Sequence, residues 1–123
     1  MRSTRRLLLI EHDVLMGAGI RLALLEDGFI VDWVKAGAAA EAALQSDSYS
    51  VVVIDVGLPR PQCLAILELL YARRNPVPVV IIGAHENADH LDEIAARIRA
   101  ALRRQTDAGE REATIFALPF SWR

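Results

Sequence analysis

Val51-Val-Val-Ile-Asp-Val-Gly-Leu-Pro-Arg-Pro61 decides how the rest of the chain is read. Four apolar residues run straight into one carboxylate, Asp55, and then into a Gly/Pro turn. A short continuous apolar run bounded by turn residues is the pattern of a strand buried on both faces of a parallel sheet. The runs Leu7–Ile10 and Val79–Ile82 repeat it, and Phe29–Val34 is a fourth, more loosely alternating candidate.

Between these strands the spacing predicts helices. One covers about residues 14–27 and is stopped by Gly28, a second covers 37–46 and is rich in alanine, and a third covers 62–74 behind Pro61. Strands alternating with helices predict right-handed crossovers and a doubly wound α/β sheet. In such a sheet, sites form beyond the carboxyl ends of the strands. Here those ends are Glu11-His12-Asp13, Asp55 to Pro59, and Gly83-Ala84-His85.

The composition narrows the function classes. A chain of 123 residues, 53% hydrophobic and 24% charged, suits one compact α/β domain spanning 1–123. A net charge of -2 supplies no general attraction to nucleic acid or to an anionic membrane. The one cysteine, Cys63, leaves no intramolecular disulfide and suits a reducing, cytoplasmic setting. The Leu7–Ile10 run is too short for a signal sequence, and nothing is long enough to span a bilayer.

Leu8-Leu-Ile-Glu-His-Asp13, Asp27-Gly-Phe-Ile-Val-Asp-Trp-Val34 and Ile54-Asp-Val-Gly-Leu-Pro59 together resemble a bacterial response-regulator receiver domain of the OmpR/PhoB class. The resemblance is specific over about residues 6–83. It implies a CheY-like (flavodoxin-like) fold of about five strands, a non-enzymatic role in two-component phosphorelay signalling, and a sensor histidine kinase as partner. It also makes Asp55 the phosphoacceptor. Mg²⁺ would then be held by Glu11, Asp55 and the carbonyl of Gly57, with His12 and Asp13 as further candidates.

Three positions depart from the family pattern. His12 stands where a metal-binding acid belongs, Gly83 where a hydroxyl belongs, and Leu118, in Leu118-Pro-Phe120, where a lysine belongs. Imidazole suits zinc or nickel better than magnesium, glycine has no donor, and leucine cannot meet a phosphoryl oxygen. Phosphorylation at Asp55 is therefore expected to be impaired, which leaves a module acting through protein–protein contacts. The alternatives are a working phosphoacceptor receiver and a dimerising relic without signalling activity.

Individual side chains also have plainer roles. Asp13 suits the N-cap of the helix that begins at Val14. His12, His85 and Asp55 could converge on a transition metal, although a hydrogen-bonded loop histidine is the ordinary alternative. Trp33 and Trp122 are expected to pack rather than to stack on bases.

The C-terminal third admits two registers. Residues 88–104 are amphipathic, with Leu91, Ile94, Ala95, Ile98 and Leu102 at helical spacing. They form either a long fourth helix followed by a strand at 113–118, which is the favoured register, or the family's last helix after a deletion. Arg97, Arg99, Arg103 and Arg104 read as its solvated face. Either register leaves one side of the sheet short of a helix, an arrangement that favours homodimerisation. The 19 residues after Arg104 are too few for a winged-helix domain, so no direct contact with nucleic acid is expected.

Overall fold

The computed structural model describes residues 5–35, 37–55, 60–73, 77–82, 91–108 and 115–117. In chain order the elements are β1 (Arg6–Ile10), α1 (Val14–Glu26), β2 (Ile30–Val34), α2 (Gly37–Ser46), β3 (Val51–Asp55), α3 (Arg60–Ala72), β4 (Val79–Ile82), α4 (Leu91–Ala108) and β5 (Ile115–Ala117). The five strands are all parallel, in the order β2-β1-β3-β4-β5. The doubly wound sheet and the favoured C-terminal element order are both present, with α4 beginning and ending a few residues later than the periodicity suggests.

Alternate residues of the central strands feed two cores, because successive side chains point to opposite faces. Leu7, Leu9, Val51, Val53, Val80 and Ile82 pack with α1 and α4. Leu8, Ile10, Val52, Ile54 and Val79 pack with α2 and α3. All five residues of β3 are buried, which is why that strand carries no polar residue before Asp55.

Two local devices bring α1 into place. Asp13 Oδ1 accepts from the Met16 amide at 3.0 Å, so Asp13 is the N-cap. At the other end Gly28 takes φ 91°. Its amide donates to the Leu25 carbonyl and that of Phe29 to the Leu24 carbonyl, a Schellman ending. Phe29 and Leu24 are both buried beneath it.

The expectation of right-handed crossovers fails at one connection. β1–α1–β2 runs leftward across the sheet with its helix on the first face; β2–α2–β3 and β3–α3–β4 run rightward with theirs on the second. Those three have the same hand. β4–α4–β5 also runs rightward, but α4 lies on the first face beside α1, so its hand is opposite.

Burial accounts for the exception. The second face already has two helices, whereas α1 alone would leave the first face half bare. Ile94, Ala95, Ile98, Ala101 and Leu102 of α4, all buried, fill that space. Five such side chains are worth several kcal/mol at about 1.5–3 kcal/mol for each large one, enough to outweigh a preference of connection hand. Arg99 adds an ion pair from α4 to Asp27 at the end of α1, and Arg97 pairs with Glu93 along α4 at 3.2 Å. These two arginines thus engage carboxylates, in keeping with a solvated face.

Among the described residues, the α3 side of the sheet near β4 carries an apolar groove. It has a volume of about 500 Å³ and is lined by Leu64, Leu67, Tyr71 and Val79 among others. Leu64 is 51% and Tyr71 83% exposed.

Candidate functional site

β1 and β3 lie side by side in register, Ile10 opposite Ile54, so the residues that leave their carboxyl ends meet. Asp55 is the last residue of β3 and largely buried. Glu11, directly after β1, is 1% exposed, and His12 beside it is half exposed. The ligand atoms of Glu11, His12 and Asp55 all lie within 4.8 Å of one another.

The closest contact in this group joins imidazole to carboxylate. His12 Nδ1 is 3.0 Å from Asp55 Oδ2 and 3.6 Å from Glu11 Oε2. At 3.0 Å the imidazole and the Asp55 carboxylate are within ion-pair range. The carboxylate that would act as nucleophile is therefore engaged by its neighbour.

Glu11 is held from several sides. Its amide donates to the Val34 carbonyl at 3.0 Å, and its carbonyl accepts from Trp33 Nε1 at 2.9 Å. Its Oε2 accepts from the Asp13 amide at 3.1 Å, while Oε1 is buried and has no hydrogen-bond partner among the described residues. Burial, with Asp55 close by, pushes the Glu11 carboxyl up to about 8.

The indole that tethers Glu11 needs room. A Cβ on Gly17 would lie 2.1 Å from the Trp33 ring, so only glycine permits α1 to approach it. Lys35 Nζ lies over the Trp33 ring, 5.6 Å from its centroid. Sequence reasoning identified Trp33 only as a packing residue. The signal it missed was Gly17, a helix-interior glycine, which often marks a close approach.

Of the residues expected at the site, Glu11, His12 and Asp55 are brought together, and Asp13 serves as a helix cap outside the trio. Gly57, Gly83, His85, Leu118 and Trp122 lie outside the described residues. The three side chains that do converge offer two carboxylates and one imidazole. Magnesium prefers an all-oxygen octahedron, so this donor set does not fit it well.

Among the described residues no helix is long and apolar enough to cross a membrane. Residues 7–110 match the family described as the response regulator receiver domain, so the match continues through α4. Response regulator protein PmrA of Pseudomonas aeruginosa is 40% identical over 119 aligned positions, covering 82% of this chain and 54% of its own length. Transcriptional regulatory protein QseB of Haemophilus influenzae is 36% identical, over 81% of this chain and 53% of its own.

The chain thus spans about half the length of these curated relatives. In the first alignment, 82% of 123 residues is about 101, so about 18 of the 119 positions have no residue here. That is the size of one helix with its connection.

Solved structures agree on the fold. The receiver domain of the Francisella response regulator 1452 superposes with a TM-score of 0.70 at 19% identity, covering 83% of this chain and 99% of that one. A CheY-like receiver domain protein from Methanospirillum hungatei gives 0.73 at 15% identity, covering 87% and 100%. With the sheet order, the acid at the end of β3 and these relatives all in agreement, the chain belongs to the response regulator receiver domain family.

Proposed function

We propose that this chain is a receiver-type module of two-component signalling in which phosphorylation at Asp55 is impaired, and that it acts mainly through contacts with other proteins in the cytoplasm. The observation that carries this is the 3.0 Å contact from His12 Nδ1 to Asp55 Oδ2. An attacking carboxylate needs a free lone pair and a counter-cation beside it. Here the imidazole lies against one oxygen, and it stands where a second acid would bring the cation.

Protein contact is the output that survives loss of that chemistry. Exposed apolar side chains on α1, Leu15 and Leu22, and on α3, Leu64 and Tyr71, supply surface for it. Candidate partners are a sensor histidine kinase, as for receivers generally, and a second copy of the chain meeting at the groove beside α3. The relatives' names include transcriptional regulators, but transcriptional output would require DNA-binding machinery outside the receiver unit.

The test uses beryllofluoride, which mimics a phosphoryl group on the aspartate. With Mg²⁺ present it is expected to leave the fluorescence of Trp33, hydrogen-bonded to Glu11, unchanged. A saturable change that Asp55→Ala abolishes would show an intact phosphoacceptor site and refute the proposal.

A further inference from the structure

We propose that the chain associates head to tail, the exposed apolar stripe of α1 in one copy docking in the groove beside α3 of the next. This deepens the reading given above, on which it rests, by stating which surface of the second copy enters the groove.

α1 carries a stripe that its own core does not use. Leu15 and Leu22 are 75% and 62% exposed, and Leu25 continues the line at 41%. They recur at the spacing by which a helix lays one face into an apolar groove. The groove offers anchors at the same interval. Leu64 and Tyr71 stand two turns apart on α3, about 10 Å along its axis, as do Leu15 and Leu22 on α1.

Charge decides which helix of the second copy fits. Glu68, exposed, lines the groove between Leu64 and Tyr71. Pairing α3 with itself across a two-fold axis through these anchors sets Glu68 against its own copy, and like charges in contact weaken an interface. α1 brings a cation instead. Arg21 flanks the stripe beside Leu22, is exposed, and forms no ion pair among the described residues. Apolar anchors then meet apolar anchors, with Arg21 and Glu68 opposed at the rim.

Topology fixes the kind of assembly. α1 packs on one face of the sheet and α3 on the other, so a single partner cannot engage both surfaces. Two copies joined this way form a dimer that keeps one free stripe and one free groove, which is a heterologous contact.

The full chain and its variants are followed by sedimentation over a range of concentrations. The wild type should associate as concentration rises, and Leu22→Glu and Tyr71→Glu should each weaken association about tenfold or more. Circular dichroism should show both folded, since both side chains are exposed. Mixed one to one, these two variants should form a heterodimer that stops at two chains, because one keeps the groove and the other keeps the stripe. Arg21→Glu and Glu68→Arg should each weaken association severalfold, and the two combined in one chain should restore it. A wild type that stays monomeric overturns the proposal. So does a Leu22→Glu chain that associates like the wild type, which would mark contact between two α3 helices, or a mixture that stays monomeric. No phosphoryl donor is present, so failure here is separable from the outcome of the phosphorylation test at Asp55.

Discussion

The Trp33 indole donates to the backbone carbonyl of Glu11 at 2.9 Å, which makes a residue of the edge strand β2 the anchor of the acid that follows β1. The anchor depends on a glycine. At Gly17 a Cβ would stand 2.1 Å and 2.3 Å from two atoms of the rigid ring, whereas at Gly19 it would meet only the flexible tip of Leu91, at 2.6 Å. Gly17→Ala should therefore cost about 1–3 kcal/mol by overpacking. Gly19→Ala should be near neutral, because the gain in helix propensity of about 1 kcal/mol offsets a small shift. Urea denaturation of the two variants checks the contrast, and equal losses would count against the close approach at Gly17.

Stability should depend on pH through Glu11. The folded protein holds its proton up to about 8, against an ordinary value of 4.5. A group that binds its proton more tightly when folded adds stability that is complete below the unfolded value and is lost as pH rises through the folded one. The metal-free protein should accordingly lose on the order of 3–4 kcal/mol between pH 5 and pH 8, about 1.4 kcal/mol for each pH unit over which the folded state alone keeps the proton. Glu11→Gln should flatten that slope, as read from unfolding midpoints across the range. A wild type equally stable at both ends would contradict it.

Ile98 of α4 is fully buried in the core shared with α1. Ile98→Ala should cost about 2–5 kcal/mol, a loss visible as a lower denaturation midpoint. Arg99→Ala, which breaks only a partly exposed ion pair with Asp27, should cost less than about 1 kcal/mol. Similar small effects from both would mean that α4 is not docked on the α1 face.

Self-association through the groove beside α3 is open to a measurement of mass in solution. A concentration-dependent dimer is expected, and Tyr71→Glu should return it to a monomer with little change in stability, since Tyr71 is 83% exposed. A wild type that stays monomeric at high concentration argues against dimerisation.

Much of the fold was legible from periodicity. The apolar runs mark β1, β3 and β4 because strands buried on both faces leave no room for polar residues. Asp13 and Gly28 mark the ends of α1 because only a few residue types satisfy those backbone geometries. The hand of the β4–α4–β5 connection was not legible. Leu91, Ile94 and Ile98 announce an apolar stripe, but periodicity does not say which face of the sheet that stripe will cover. That choice depends on how many helices each face already has.

The site divides in the same way. Asp55, Glu11 and His12 stand at predicted strand ends, so topology alone brings them near one another. The Trp33–Glu11 tether was hidden, because it needs the register of β2 against β1, which pairs Trp33 with Leu9. No local pattern encodes that pairing.

The most direct test of the central claim is the intact mass of the protein after incubation with acetyl phosphate and Mg²⁺. The account predicts that the wild-type chain keeps its mass, because His12 engages the Asp55 carboxylate and stands in the place of the second acid. A stoichiometric gain of one phosphoryl group in the wild type, absent in Asp55→Ala, would contradict it.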